Sequence, residues 1–150
     1  MAYVPRVLNV YKYTFTAKDN GITSDVSVTS SDYTTIWRKT VSDNEGYKIG
    51  RVDGYFYIAI KDTSGNTVHG TVRIVIVSPD NSIRKVLYEL NTRLCGDATD
   101  IFKKPKLPPL HRGLITKNWK IELELKAEAS ATVDVSELVL LMDGWKAVLG

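Results

Sequence analysis

The stretch Trp119-Lys120-Ile121-Glu122-Leu123-Glu124-Leu125-Lys126-Ala127-Glu128-Ala129 has an apolar residue at every odd position and a charged one at every even position. Successive side chains of a strand point to opposite faces, so a period of two sorts this segment into one apolar and one charged face. Wound into a helix, the same residues would scatter their apolar groups around the cylinder and leave no face to bury. The segment therefore reads as a half-buried strand. Its charged face, where Glu122, Glu124 and Glu128 are mixed with Lys120 and Lys126, reads as one turned to water.

The rest of the chain shows the same habit. Tyr11, Tyr13 and Phe15 share one face of an opening strand, opposite Lys12, Thr14 and Thr16. Val26 and Val28 mark a short second strand, 35–41 carries Trp37, and 47–52 is a further candidate. The runs GYFYIAIK (54–61) and GTVRIVIV (70–77) are short, β-branched and aromatic, as sheet interiors require. The turn-rich 62–67 between them predicts a hairpin. Further on come 132–135, 138–142 and, after Asp143-Gly144, 145–149.

Residues 83–95 admit two readings. Ile83, Val86, Leu87, Leu90 and Leu94 fit a helical stripe, with Ser78-Pro79 opening it and Gly96 closing it. Val86, Tyr88, Leu90 and Leu94 also alternate with Lys85, Glu89, Asn91 and Arg93, with Ser78-Pro79-Asp80-Asn81 as a type I turn. The β surroundings favour the strand. Eight to ten short strands separated by turn signals predict an all-β fold, an antiparallel β-sandwich of jelly-roll-like connectivity. A closed barrel comes second. An immunoglobulin-like sandwich comes third, because its cysteine pair is missing.

With 150 residues, 43% of them hydrophobic and 25% charged, the chain is expected to form one folded domain over 1–150. Cys95 is the sole cysteine, so no internal disulfide can form. The opening Met1-Ala2-Tyr3-Val4-Pro5-Arg6 has no signal-peptide pattern, and the apolar run 138–142 is too short to span a bilayer. The expected location is intracellular or in a virion.

The formal net charge of +3 is unevenly spread. Between 101 and 121 lie Lys103, Lys104, Lys106, Arg112, Lys117 and Lys120, with no Asp or Glu. Pro105, Pro108 and Pro109 remove backbone donors there, so 95–113 reads as a long surface loop. Lys103, Lys104, Lys106, Arg112 and Lys117 are accordingly the candidate binding residues, suited to nucleic acid or another acidic partner.

Catalytic patterns are weak by comparison. The histidines are His69, beside a turn, and His111, in the proline-rich stretch. Cys95 and His111 have no spacing that forces them together, and one Cys with two distant His does not make a zinc set. Asp19-Asn20-Gly21 and Asp43-Asn44-Glu45-Gly46 have oxygen ligands for calcium but lack the loop pattern, and turns demand the same residues. Glu122, Glu124 and Glu128 lie along one strand rather than across a cleft. No catalytic residue, metal or cofactor is expected.

Two functions from different classes follow. The first is a non-enzymatic structural protein that self-assembles, most concretely a virion capsid or shell subunit of single jelly-roll type; the likeness is one of architecture. The second is a carbohydrate-binding module with Tyr11, Tyr13, Tyr55 and Tyr57 as an aromatic platform. The run 131–140 is similar to the closing strand of such modules.

Overall fold

Ten strands carry most of residues 6–50, 55–95 and 113–150, the parts of the chain that this computed structural model describes. They are β1 (Val7–Thr16), β2 (Val26–Val28), β3 (Thr34–Thr40), β4 (Glu45–Ile49), β5 (Phe56–Ala59), β6 (Gly70–Val77), β7 (Arg84–Asn91), β8 (Lys120–Ala127), β9 (Ala131–Val133) and β10 (Val139–Leu149). All pairings are antiparallel. One sheet has the order β3-β8-β6-β7. In the other, β10 pairs β1 along one side and meets β4 and β5 in succession along the other. A two-stranded β2-β9 ladder closes one end. The result is the expected antiparallel, jelly-roll-like β-sandwich.

The period of two in β8 builds the interior. Ile121, Leu123 and Leu125 lie opposite Ile76, Ile74 and Val72 of β6, and all six are buried. From the facing sheet come Phe15, Tyr47, Ile49, Phe56, Leu140 and Met142. Phe15 and Trp37 meet edge-to-face across the sheets at 6.2 Å, and the indole Nε1 of Trp37 donates to the Thr16 carbonyl at 3.0 Å. That bond satisfies the one polar atom of a large buried ring.

Of residues 83–95, Arg84–Asn91 form strand β7 and Thr92–Leu94 a short 3-10 turn after it. Asn81 N–H donates to the Ser78 carbonyl at 3.0 Å, with Pro79 second in the turn as expected and Asn81 at φ 63°. Thr71↔Asn91 to Ile74↔Tyr88 pair in step, after which Val75 faces Val86 and Leu87 is the extra residue of a bulge. The bulge shifts the side-chain phase, so a strand shows apolar spacings that mimic a helix. Ile36 is the extra residue of β3 in the same way, leaving Ile36 and Trp37 consecutive and both buried.

Two expectations are corrected. The 62–67 connection does turn tightly, with Lys61 bridging Thr67, but β5 joins the β10 sheet whereas β6 joins β8 and β7. The chain thus crosses between sheets instead of forming a long hairpin. Nor are 138–142 and 145–149 separate, because β10 runs straight through Asp143-Gly144. A Cβ at Gly144 would fall inside contact distance of the Lys48 carbonyl oxygen, so glycine is needed for strand approach.

Candidate functional site

Of the five basic residues singled out above, Lys103, Lys104, Lys106 and Arg112 lie outside the described residues. Lys117 is exposed on the approach to β8 and ion-pairs with Asp43 at 3.3 Å. Such a surface pair contributes little to stability. Cys95 is buried, His69 Nδ1 lies 3.0 Å from Thr92 Oγ1, and His111 is outside the described residues. Among the described residues no group of three or more His, Cys, Asp or Glu is placed to hold a metal ion.

The four tyrosines do not form one platform. Tyr11 and Tyr13 share the face of Phe15, whereas Tyr57 lies on the opposite face and is buried. Tyr55 shares a hydrogen bond with Thr14 at 3.0 Å. Of the calcium candidates, Asp19 is already engaged by the Tyr13 hydroxyl (2.6 Å), the Thr16 N–H (3.0 Å) and Lys39 Nζ (3.2 Å). Asn44, at φ 64°, serves the turn between β3 and β4.

The charged face of β8 departs most from expectation. Glu122 and Glu124 are not in water: they are only 2% and 3% exposed. Cross-strand register explains why. Arg38 of β3 stands opposite Glu122, and Arg73 of β6 stands opposite Glu124. Arg84, at the start of β7, pairs with Val77 and reaches diagonally across β6 to both carboxylates. Glu122 accepts from Arg38 Nε at 2.7 Å, Arg84 Nη2 at 2.8 Å and the Thr35 hydroxyl at 3.0 Å. Glu124 Oε2 accepts from Arg73 Nε and Nη2 at 3.1 and 3.0 Å, while its Oε1 accepts from Arg84 Nε at 3.0 Å and from Arg84 Nη2.

Three guanidinium groups therefore roof two carboxylates, and the cluster carries a net charge of +1. Burial pushes the Glu122 carboxyl up, but hydrogen bonds from Arg38 and Arg84 outweigh it and leave the group below the usual glutamate range. Arg73 stacks on the Tyr33 ring at 3.8 Å, and the Tyr33 hydroxyl donates to Glu89 at 3.2 Å. The arginine side chains remain 26–43% exposed, so the roof is also a surface.

A second polar cluster plugs the sandwich where β1, β3, β4 and β10 converge. Lys39 pairs with Asp19, and Lys146 with Glu45, each at 3.2 Å. Both ammonium groups lie within 6 Å of the Tyr13 and Tyr47 rings. This arrangement is self-neutral and closed, which suits a stabilising role.

Apolar surface gathers on the strand edges. β1 has β10 on one side and exposes Val7, Leu8, Val10 and Tyr11. Val10, Lys48, Leu114 and Trp145 line an open depression of about 430 Å³ on the outer face of that sheet. Ile83 and Val86 are exposed along β7, the edge of the other sheet.

No known family model matches this chain. No curated protein sequence matches it either. Among solved structures it is similar to VP17, a capsid protein of bacteriophage P23-77, with a TM-score of 0.72 and 7% identity over 99% of this chain and 100% of that one. At this identity the likeness is one of fold.

Proposed function

We propose that this chain is a non-enzymatic structural protein that assembles with copies of itself, most concretely as a virion shell subunit of single jelly-roll type. The observation that carries the reading is the end-to-end likeness to a phage capsid protein, in which each fold accounts for essentially all of the other. The surface supports it. Shell subunits need repeated contacts, and β1 and β7 present sheet edges flanked by exposed aliphatic side chains. The alternative carbohydrate reading loses its main support, because the four tyrosines are split between two faces of one sheet.

Light scattering and electron microscopy over a range of protein concentrations test the proposal. Defined oligomers or closed particles are expected. A strict monomer at high concentration that binds an immobilised polysaccharide would overturn it.

A further inference from the structure

Arg38, Arg73 and Arg84 are held in place before any partner arrives. Their Nε atoms and two of their Nη2 atoms are spent on Glu122 and Glu124. Among the described residues, both terminal nitrogens of Arg38 and the Nη1 atoms of Arg73 and Arg84 have no hydrogen-bond partner. Guanidinium groups locked by their own carboxylates lose little further freedom on binding, and Arg and Tyr are the side chains that most often anchor interfaces. Lys120 and Lys126 flank the cluster on the same face of β8, with Tyr33 stacked beside it and Glu89 opposite Arg73, which leaves the face net positive.

The complementary charge lies elsewhere on the same chain. In the β2-β9 ladder Val26 pairs with Val133, and Asp25 and Asp134 are the residues next to that pair at the same end of the ladder. Asp62 bridges Val133, and Glu137 follows in the 3-10 turn Val135–Glu137. None of these four carboxylates is ion-paired among the described residues. Both surfaces ride on hydrogen-bonded ladders, so they cannot fold onto each other within one molecule. They can meet between molecules.

We infer that the arginine-roofed face of the β3-β8-β6-β7 sheet receives the acidic β2-β9 corner of a neighbouring copy. The inference rests on the assembly reading above and names one of its contacts. Joining two different surfaces makes the contact heterologous, which propagates into a ring, a filament or, with further contacts, a shell. Opposite charges then fix orientation and speed encounter.

Two double variants test the contact by sedimentation velocity. One, Asp25→Lys with Glu137→Lys, reverses the corner; the other, Lys120→Glu with Lys126→Glu, reverses the flanks of the face. Each alone should weaken assembly by about tenfold or more, while thermal melting stays close to that of the parent. Mixing the two variants should restore association, because the reversed corner again meets an opposite face. Variants that assemble like the parent, or a mixture that fails to recover, would overturn this contact and leave the shell proposal standing. Tight binding of short DNA by the parent, abolished by Arg38→Met, would overturn it in favour of nucleic acid. A parent chain that stays monomeric would overturn both proposals.

Discussion

Replacing Glu124 by Gln changes almost no volume, yet it should be costly. The carboxylate is 3% exposed and accepts on both oxygens: Oε2 from Arg73 and Oε1 from Arg84. Whichever oxygen becomes an amide nitrogen must point a donor at a guanidinium donor. Removing one partner of a fully buried ion pair costs about 3–5 kcal/mol. Here Arg73 and Arg84 are 26% and 43% exposed and can turn towards water, which reduces the penalty. A hydrogen bond to a charged group contributes about 1.5–3 kcal/mol, so the loss of the better-held side sets an expected cost of about 2–3 kcal/mol. For a domain of this size that corresponds to a fall in melting temperature of roughly 5–10 °C. Urea unfolding of Glu124→Gln, Arg73→Met and the double variant measures it, with a coupling energy above about 1 kcal/mol expected. A Glu124→Gln cost below about 0.5 kcal/mol would show that the carboxylate is solvated and the roof is not formed.

Other expectations concern the interior. Leu123→Asp places an unpaired charge between the sheets and should cost about 3–5 kcal/mol in the same assay. Gly144→Ala drives a methyl group against the Lys48 carbonyl and the Phe15 ring, and should cost at least about 2 kcal/mol, seen as a lower urea midpoint. The phenols of Tyr13 and Tyr47 are raised above their ordinary value of 10.0, first by burial and then by their hydrogen bonds to Asp19 and Glu45. Their contribution is complete below that value and lost as the pH climbs past it, so the melting temperature should fall in alkali and Tyr13→Phe should flatten the fall. Glu122 and Glu45 have the opposite sign. Both are lowered from 4.5, so the stability they confer should disappear as the pH drops through that value and below it.

Most of the fold was legible because alternation in β8, β1 and β6 survives folding unchanged. What alternation cannot reveal is what stands over the polar face. Glu122 and Glu124 look like solubilising residues when β8 is read alone. The arginines that cover them come from three other strands, up to 84 positions away in the case of Arg38. Only the register of β3, β6 and β7 against β8 brings them together. The separation of 138–142 from 145–149 at Asp143-Gly144 failed for a related reason: a glycine that could interrupt a strand also lets two backbones approach closely. The helix-like stripe in 83–95 came from the bulge at Leu87, which breaks the period locally. The basic residues 103–112 are plain in the sequence, but their surroundings are outside the described residues.

The position of β10 has a kinetic meaning. Three strands, β1, β4 and β5, use it as their partner, and β1 pairs with it over a sequence separation of more than 120 residues. Little of that sheet can be hydrogen-bonded before β10 docks, and closing so long a loop is slow. While β1 waits, its backbone and its Val7-Leu8-Asn9-Val10 stretch are open to any extended segment nearby, including one from another molecule. Productive folding is therefore a race between intramolecular docking of β10 and intermolecular capture of β1, and the yield of native protein should fall as the concentration during refolding rises.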